Sequence, residues 1–132
     1  MVISMPKLKK KKVKRIGQLK KLADKVFSEY IRQRDKGVCY TCGNVKPWKY
    51  QQCGHYVSRM FNSLRYSEVN CHCQDVACNV FRKGAMDEYA IRLVRQYGEG
   101  ILNHLNIKKR EIKQFSRPEL EELIAKYKKL NG

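Results

Sequence analysis

The chain has 132 residues, which is room for one domain of ordinary size. Lysine and arginine number 29 against 12 acidic residues, so the formal net charge is +17 at pH 7. That charge excludes functions without a polyanionic partner and indicates DNA or RNA. The longest apolar runs are only a few residues long, which predicts no transmembrane helix and no membrane partner.

Positive charge is concentrated at the N-terminus. Residues 1–21 carry nine basic residues and no acid, and residues 1–15 are predicted to form a flexible arm that becomes ordered on phosphate. A solubilising tail is the simpler alternative. The candidate DNA contacts of this arm are Lys10, Lys11, Lys12, Lys14 and Arg15.

The first predicted element is an amphipathic helix over Leu19–Arg34, where apolar residues recur at helical spacing until Gly37. A tight turn, CYTCG, follows at 39–43. Two segments rich in tyrosine and valine are predicted to form the strands of a hairpin, namely Lys49–Arg59 and Leu64–Asn70.

The C-terminal half is predicted to be helical. A short helix over 76–83 and a longer one over 86–97 are separated by Gly84, and a further helix is predicted around 101–112. Ser116 begins a capping box, S-R-P-E, that starts the last helix.

All six cysteines fall between positions 39 and 78. The N-terminus lacks the apolar stretch of a secretory signal, so the chain is expected in a reducing compartment, where clustered cysteines are more often metal ligands or free thiols than disulfides. Cys39-x2-Cys42 has the spacing of half a zinc knuckle, and Cys78 is the natural third ligand. Two candidates remain for the fourth ligand, Asp75 and Cys73. The two other cysteines, Cys53 and Cys71, are predicted to be buried thiols.

A second constellation combines His55, Asn70 and Asn79 in the order and spacing of the HNH nuclease pattern, in its His-Asn-Asn form. Phosphodiester hydrolysis needs a base that activates water, and a neutral histidine suits that role. It also needs a divalent cation at the phosphate, and an asparagine oxygen such as that of Asn79 is a ligand suited to Mg²⁺. Asn70 is predicted to hold the histidine in one orientation through its amide or its backbone.

Taken together, the segments CYTCG, QQCGHYVSR and LRYSEVNCHCQDVACNVFRKG resemble the NinG/Rap recombination endonuclease family of lambdoid and other tailed phages. The resemblance runs from about Val26 to Leu93 and extends loosely over the C-terminal helices. It implies a ββα-metal (His-Me finger) nuclease that acts on branched recombination intermediates, encoded by a phage and working in the cytoplasm of the bacterial host.

Carried over position by position, the resemblance makes His55 the general base, Asn70 the central asparagine and Asn79 the metal-binding asparagine. It also implies a structural zinc site formed by Cys39, Cys42, Asp75 and Cys78. This chain departs from the family at Asp75, where a thiolate is usual. It also has Gly54 where many HNH nucleases carry a metal-binding aspartate, a glycine that the family shares, so His72 is a candidate to complete the catalytic shell.

Simpler interpretations apply to several of these residues. His55 alone would more often be a strand histidine with a satisfied hydrogen bond, Asn79 alone could cap a helix, and His72 is equally compatible with a structural role. His104 is expected on the surface. Basic residues predicted around the site suit phosphate contacts, although two of them, Arg65 and Lys83, have acidic partners available in Glu68 or Asp87; the phosphate candidates are Arg59, Arg65, Arg82 and Lys83.

The sequence thus predicts an α+β domain with a small ββα-metal core over 37–97, pinned by zinc and flanked by an N-terminal helix over 16–36 and by C-terminal helices over 98–132. The predicted function is a DNA endonuclease that uses Mg²⁺ or Mn²⁺. The family resemblance implies branched DNA, such as a Holliday junction or D-loop, as its substrate, and a homodimer is permitted. One alternative is a non-catalytic zinc-finger protein that binds nucleic acid. The other is an HNH nickase of ordinary duplex DNA.

Overall fold

The computed structural model describes residues 13–132, so Lys10, Lys11 and Lys12 of the basic arm lie outside the described residues. Helices surround a two-stranded sheet, in agreement with the predicted α+β class. In chain order the elements are α1 Ile16–Arg34, a 3-10 turn Trp48–Tyr50, β1 Gln52–His55, α2 Asn62–Arg65, β2 Cys71–Gln74, a π-helical turn Ala77–Phe81, α3 Met86–Tyr97, α4 Ile101–Lys109 and α5 Arg117–Leu130. None of the helices in this described part is long and apolar enough to cross a membrane.

The larger part of the core lies between α1, α5 and the sheet. The buried face of α1 carries Leu19, Ala23, Val26, Phe27 and Ile31, which are residues of the predicted helical stripe. The ring of Phe27 packs edge to face against the ring of Tyr127 in α5, with the ring centroids 5.1 Å apart. The start of α5 is also as predicted, because the Ser116 hydroxyl accepts a hydrogen bond from the backbone NH of Glu119.

A second buried cluster packs the C-terminal helices against α2. It consists of Leu64 from α2, Tyr89 and Leu93 from α3, and Ile101 and Leu105 from α4. The helical predictions for this half of the chain are confirmed, with α4 ending three residues earlier than expected. The break at Gly84 is also confirmed. Gly84 has a φ of 90°, and its neighbours Lys83 and Ala85 also have positive φ angles.

The sheet is antiparallel, and it pairs Gln52 with Gln74 and His55 with Cys71. The prediction of a strand over Leu64–Asn70 is wrong. That segment begins in α2 and continues as a loop, and the strand starts only at Cys71. Strand propensity depends strongly on tertiary context, and here the Arg65 side chain bonds Asp24 of α1, a distant residue.

Candidate functional site

Four potential metal ligands converge where the cysteine turn meets the end of β2. One ligand atom each of Cys39, Cys42, Asp75 and Cys78 lies within 4.8 Å of the others. Neighbouring ligands of a tetrahedral zinc ion with Zn–S bonds of about 2.3 Å are about 3.8 Å apart, so the spacing fits zinc. Three thiols and one carboxylate are also a chemically suitable donor set, and the cluster could hold a metal ion.

Local backbone structure brings the two halves of the cluster together. The backbone NH of Gly43 donates to the carbonyl of Cys39 at 2.9 Å, and Gly43 has a φ of 79°, which folds the turn back on itself. On the other side, the Asp75 carboxylate accepts from the backbone NH of Cys78 at 2.8 Å and from the thiol of Cys42 at 3.1 Å. Burial raises the pKa of Asp75, but these hydrogen bonds outweigh it and the pKa is lowered to about 2.

The alternative fourth ligand is excluded by position. Cys73 lies opposite Cys53 in the sheet, fully buried, and its sulfur is not part of the four-atom cluster. Of the two candidates for the fourth ligand, the structure places Asp75 in the cluster and Cys73 outside it. The prediction that Cys71 is a buried thiol is confirmed, while Cys53 is only partly buried.

A separate cavity of about 460 Å³ lies between α1, β1 and the π-helical turn, and both His55 and Asn79 line it. His55 is the last residue of β1, and its Nε2 lies 2.9 Å from the carbonyl oxygen of Arg65. A carbonyl only accepts, so Nε2 carries the proton and Nδ1 keeps its lone pair. Burial lowers the pKa of His55, and this effect outweighs the hydrogen bond to Arg65, which raises the pKa. The neutral ring is therefore favoured.

Asn79 is fastened to the sheet by its own amide. Its Nδ2 donates to the side-chain oxygen of Gln52 at 2.8 Å, three residues before His55 in the same strand. Within the described residues its Oδ1 receives no hydrogen bond, so an oxygen ligand remains available. Strand β1 thus holds both residues of the predicted pair, since it contains His55 and binds Asn79 through Gln52.

Asn70 does not line this cavity. Its side chain is fully buried, accepts from the backbone NH of Val57 at 2.8 Å and donates to the carbonyl of the same residue at 2.9 Å. Its own carbonyl accepts from the NH of Tyr56 at 2.9 Å. Asn70 therefore fixes the backbone just after His55, and the ring itself is oriented by Arg65.

His72 is not brought to His55. Neighbouring strand residues point to opposite faces of a sheet, and His72 faces away from the cavity. Its ring stacks on Tyr40 at 3.8 Å between centroids, and its two nitrogens lie near the hydroxyls of Tyr89 and Tyr97, at 3.1 and 3.2 Å. The structure therefore does not bring His72 together with His55 and Asn79, and its ring has the hydroxyl and aromatic partners of a structural residue.

Asp24 is a cavity residue that the sequence did not reveal. It stands on α1, accepts from Arg65 Nε at 2.8 Å and from the hydroxyl of Tyr66 at 2.9 Å. Among the described residues Arg65 pairs with Asp24, and not with Glu68 or Asp87, the acids offered as alternatives by the sequence. A signal was present in the sequence, since Asp24 is an acidic residue directly beside the buried stripe of α1.

Gly54 precedes His55 and lies against β2. A Cβ atom on Gly54 would be 1.8 Å from Oε1 of Gln74. An aspartate, which many HNH nucleases carry here, would therefore fit at this position only if the Gln74 side chain moved.

Basic side chains border the cavity or stand near it. Arg59 and Arg65 line it, while Arg82 and Lys83 are exposed at the end of the π-helical turn that carries Asn79. Lys14 and Arg15 are exposed just before and at the start of α1, and His104 is exposed as expected.

The fold and these clusters define a small α+β domain with a cysteine-rich candidate metal centre and a separate histidine–asparagine cavity. The family model described as "Bacteriophage Lambda NinG protein" matches residues 4–131. The chain belongs to the NinG family. The predicted membership is confirmed by this match.

Curated relatives include the ninG proteins of Escherichia phage 933W and Escherichia phage lambda, each 29% identical over 87 residues, and that of Salmonella phage P22, 31% identical over 80 residues. These alignments cover 64%, 64% and 59% of this chain. They cover 43%, 42% and 39% of the relatives, so the chain spans about two fifths of the length of the relatives it matches. No solved structure matches the chain.

Proposed function

We propose that this protein is a metal-dependent DNA endonuclease of the HNH class, with a structural zinc ion at Cys39, Cys42, Asp75 and Cys78. The observation that carries the proposal is the shared cavity of His55 and Asn79, in which Nε2 of His55 is fixed by a carbonyl and Nδ1 makes no hydrogen bond to any described residue. The order of β1, β2 and the helical turn with Asn79, with the short α2 between the strands, supports the proposed ββα-metal core.

In the proposed reaction, Nδ1 of His55 takes a proton from a water molecule as its oxygen forms a bond to phosphorus. The bond from phosphorus to the oxygen on the opposite side breaks, which leaves two strand ends. Mg²⁺ or Mn²⁺, when bound, would stabilise the negative charge on the phosphate and the leaving oxygen. Asn79 would hold that cation through Oδ1. Arg59 would contact a neighbouring phosphate, as would the exposed Arg82 and Lys83.

DNA is the proposed partner because the whole chain carries a formal charge of +17. Branched DNA is the proposed substrate, and the bacterial cytoplasm the proposed location, on the family resemblance. Paired cuts across a junction would be served by a homodimer.

One observation favours the non-catalytic alternative. The Asp24 carboxylate in the cavity is already bound by Arg65 and Tyr66, so within the described residues the cation would have few protein ligands besides Asn79. A zinc-organised protein that only binds DNA would need no such ligands.

The deciding experiment measures cleavage of a labelled four-way junction and of a linear duplex with the same arm sequences, in Mg²⁺ or Mn²⁺. His55→Ala is compared with wild type and with His104→Ala, a surface histidine as the matched control. Junction cleavage that EDTA and His55→Ala abolish, and that His104→Ala keeps, supports the proposal. Equal cleavage of both substrates would favour the duplex nickase, and tight binding without cleavage would favour the binding protein.

A further inference from the structure

A second group of potential metal ligands lies on the face of the sheet that carries His55. One ligand atom each of Cys53, His55 and Cys71 lies within 4.8 Å of the other two. The strand register explains the group, because Cys53 and His55 are two residues apart in β1, and Cys71 is paired directly with His55 in β2. These three side chains therefore project together from one face. Cys73, the partner of Cys53, shares that face, but its sulfur is not part of the group.

The group is separate from the four-residue cysteine cluster, and no thiol in it has a role in the proposed cleavage reaction. Its donors are two sulfurs and one imidazole nitrogen, a set that suits Zn²⁺ and other thiophilic ions and not Mg²⁺, which prefers oxygen. Cys53 and His55 both line the cavity, so an ion can enter from it. Three protein ligands would leave a fourth position open on the cavity side.

Cys71 is the innermost donor of the group. Its side chain is fully buried, and its sulfur lies 3.9 Å from the carbonyl oxygen of Arg65, the same oxygen that bonds Nε2 of His55. Burial raises the pKa of the Cys71 thiol well above its usual value, so without an ion it is a neutral core thiol. A metal ion that binds it must displace the proton.

We propose that Cys53, His55 and Cys71 form a second site for thiophilic metal ions. Zn²⁺ bound there would prevent His55 from acting as the general base. Coordination through Nδ1 would occupy the nitrogen that accepts the proton from water. Coordination through Nε2 would break the hydrogen bond to Arg65 and turn the ring. The inhibitory consequence rests on the proposed nuclease function, but ion binding at the site does not.

The binding test uses the full chain, kept reduced and stripped of metal, and titrates it with Cd²⁺ while thiolate-to-metal absorption and bound metal are followed. Wild type is expected to bind two ions per chain. Cys53→Ser and Cys71→Ala are each expected to bind one, while the matched control Cys73→Ala, another buried strand cysteine outside both clusters, keeps two. Cys53 is partly exposed, so Cys53→Ser still decides the question if Cys71→Ala does not fold.

A single ion bound by wild type, or two ions retained by Cys53→Ser, would overturn the second site whether or not the protein cleaves DNA. The activity measurement adds Zn²⁺ at a fixed Mg²⁺ concentration. For each protein the cleavage rate with Zn²⁺ is divided by its own rate without Zn²⁺, and these ratios are compared between wild type and the variants. Wild type and Cys73→Ala are expected to lose cleavage as Zn²⁺ rises through the second binding step, and Cys53→Ser to need at least about tenfold more Zn²⁺. Absence of cleavage in Mg²⁺ or Mn²⁺ before any Zn²⁺ is added, in a protein that binds two Cd²⁺ ions, would instead refute the nuclease proposal and leave the metal site standing.

Discussion

The ring of His55 is positioned by the backbone of Arg65, whose carbonyl oxygen lies 2.9 Å from Nε2. The side chain of the same arginine is held by Asp24, with Nε 2.8 Å from Oδ1. Helix α1 therefore influences the proposed base through two hydrogen bonds and one residue of backbone, without touching the ring.

This linkage predicts that Asp24→Asn lowers cleavage although Asp24 does not contact His55. The loss of a charged acceptor frees the Arg65 side chain, and we expect kcat to fall about tenfold or more with a smaller change in KM. Steady-state kinetics on the junction substrate measure this. Glu29→Gln, which changes an acid on the same helix outside the cavity, is the control. Unchanged kcat in Asp24→Asn would show that Arg65 needs no such anchor.

The pH dependence of cleavage follows from the environment of His55. Burial lowers its pKa below the ordinary value of 6.5, and a general base acts only when it is unprotonated. We expect the acidic limb of kcat/KM to have its midpoint below 6.5, so that activity persists at pH values where an exposed histidine is already charged. Initial rates between about pH 5 and 8 at constant ionic strength check this. A midpoint at or above 6.5 would contradict the assignment.

Removal of zinc should destabilise the fold, because the cysteine turn and the end of β2 are joined by the four-ligand cluster. We expect a strong chelator to lower the Tm of wild type, with a loss on the order of several kcal/mol. Cys42 is exposed, so Cys42→Ser should cost little packing while it removes the sensitivity to chelator. Cys73→Ser keeps all four ligands and should remain sensitive. A chelator-insensitive wild type would mean that no structural metal is bound.

Local patterns in the sequence were sufficient for the helices. The stripe of α1 and the Ser116 cap are short-range features, and the structure has both where they were predicted. The second strand was misplaced because Leu64 and Arg65 are held by distant residues, Asp24 among them, and no local pattern encodes such a contact. The cysteine cluster was predictable from spacing except for the choice between Asp75 and Cys73, which depends on the strand register.

The same limit applied to the histidines. His55 and His72 both lie in short strands next to cysteines. Only the register of the two strands shows that their rings are on opposite faces of the sheet. The carbonyl that orients His55 belongs to Arg65, ten residues later. Every residue has a backbone carbonyl, so the residue type at this position could not predict the contact.

His72 should make stability depend on pH. Burial is the main cause that lowers its pKa from 6.5 to about 3, so between these values the unfolded chain binds a proton that the folded chain does not. Stability from this group is therefore complete above about pH 6.5 and is lost as the pH falls, with a slope of up to about 1.4 kcal/mol per pH unit. Urea unfolding at several pH values should show a shallower loss in His72→Gln than in wild type. His104→Gln, at an exposed position, should parallel wild type, and equal slopes in all three proteins would refute the prediction.

The contact between Gly54 and Gln74 predicts a coupled pair of mutations. A methyl group on Gly54 would collide with Oε1 of Gln74 at 1.8 Å, and that side chain cannot swing away freely because its Nε2 donates to Thr41 Oγ1 at 3.1 Å and to the carbonyl of Gly84 at 2.9 Å. We expect Gly54→Ala to destabilise the protein by about 1–3 kcal/mol.

Gln74→Ala removes both hydrogen bonds and should itself cost about 1–3 kcal/mol, yet it also empties the space that the new methyl group needs. The double variant is therefore expected to be more stable than the sum of the single losses implies, with a coupling of at least about 1 kcal/mol. Urea denaturation of the four proteins closes the cycle. Gly17→Ala, at a glycine with open space around it, is the control for the added methyl group. Strict additivity would mean that Gln74 moves aside at no cost, and that Gly54 is required next to His55 for some other reason.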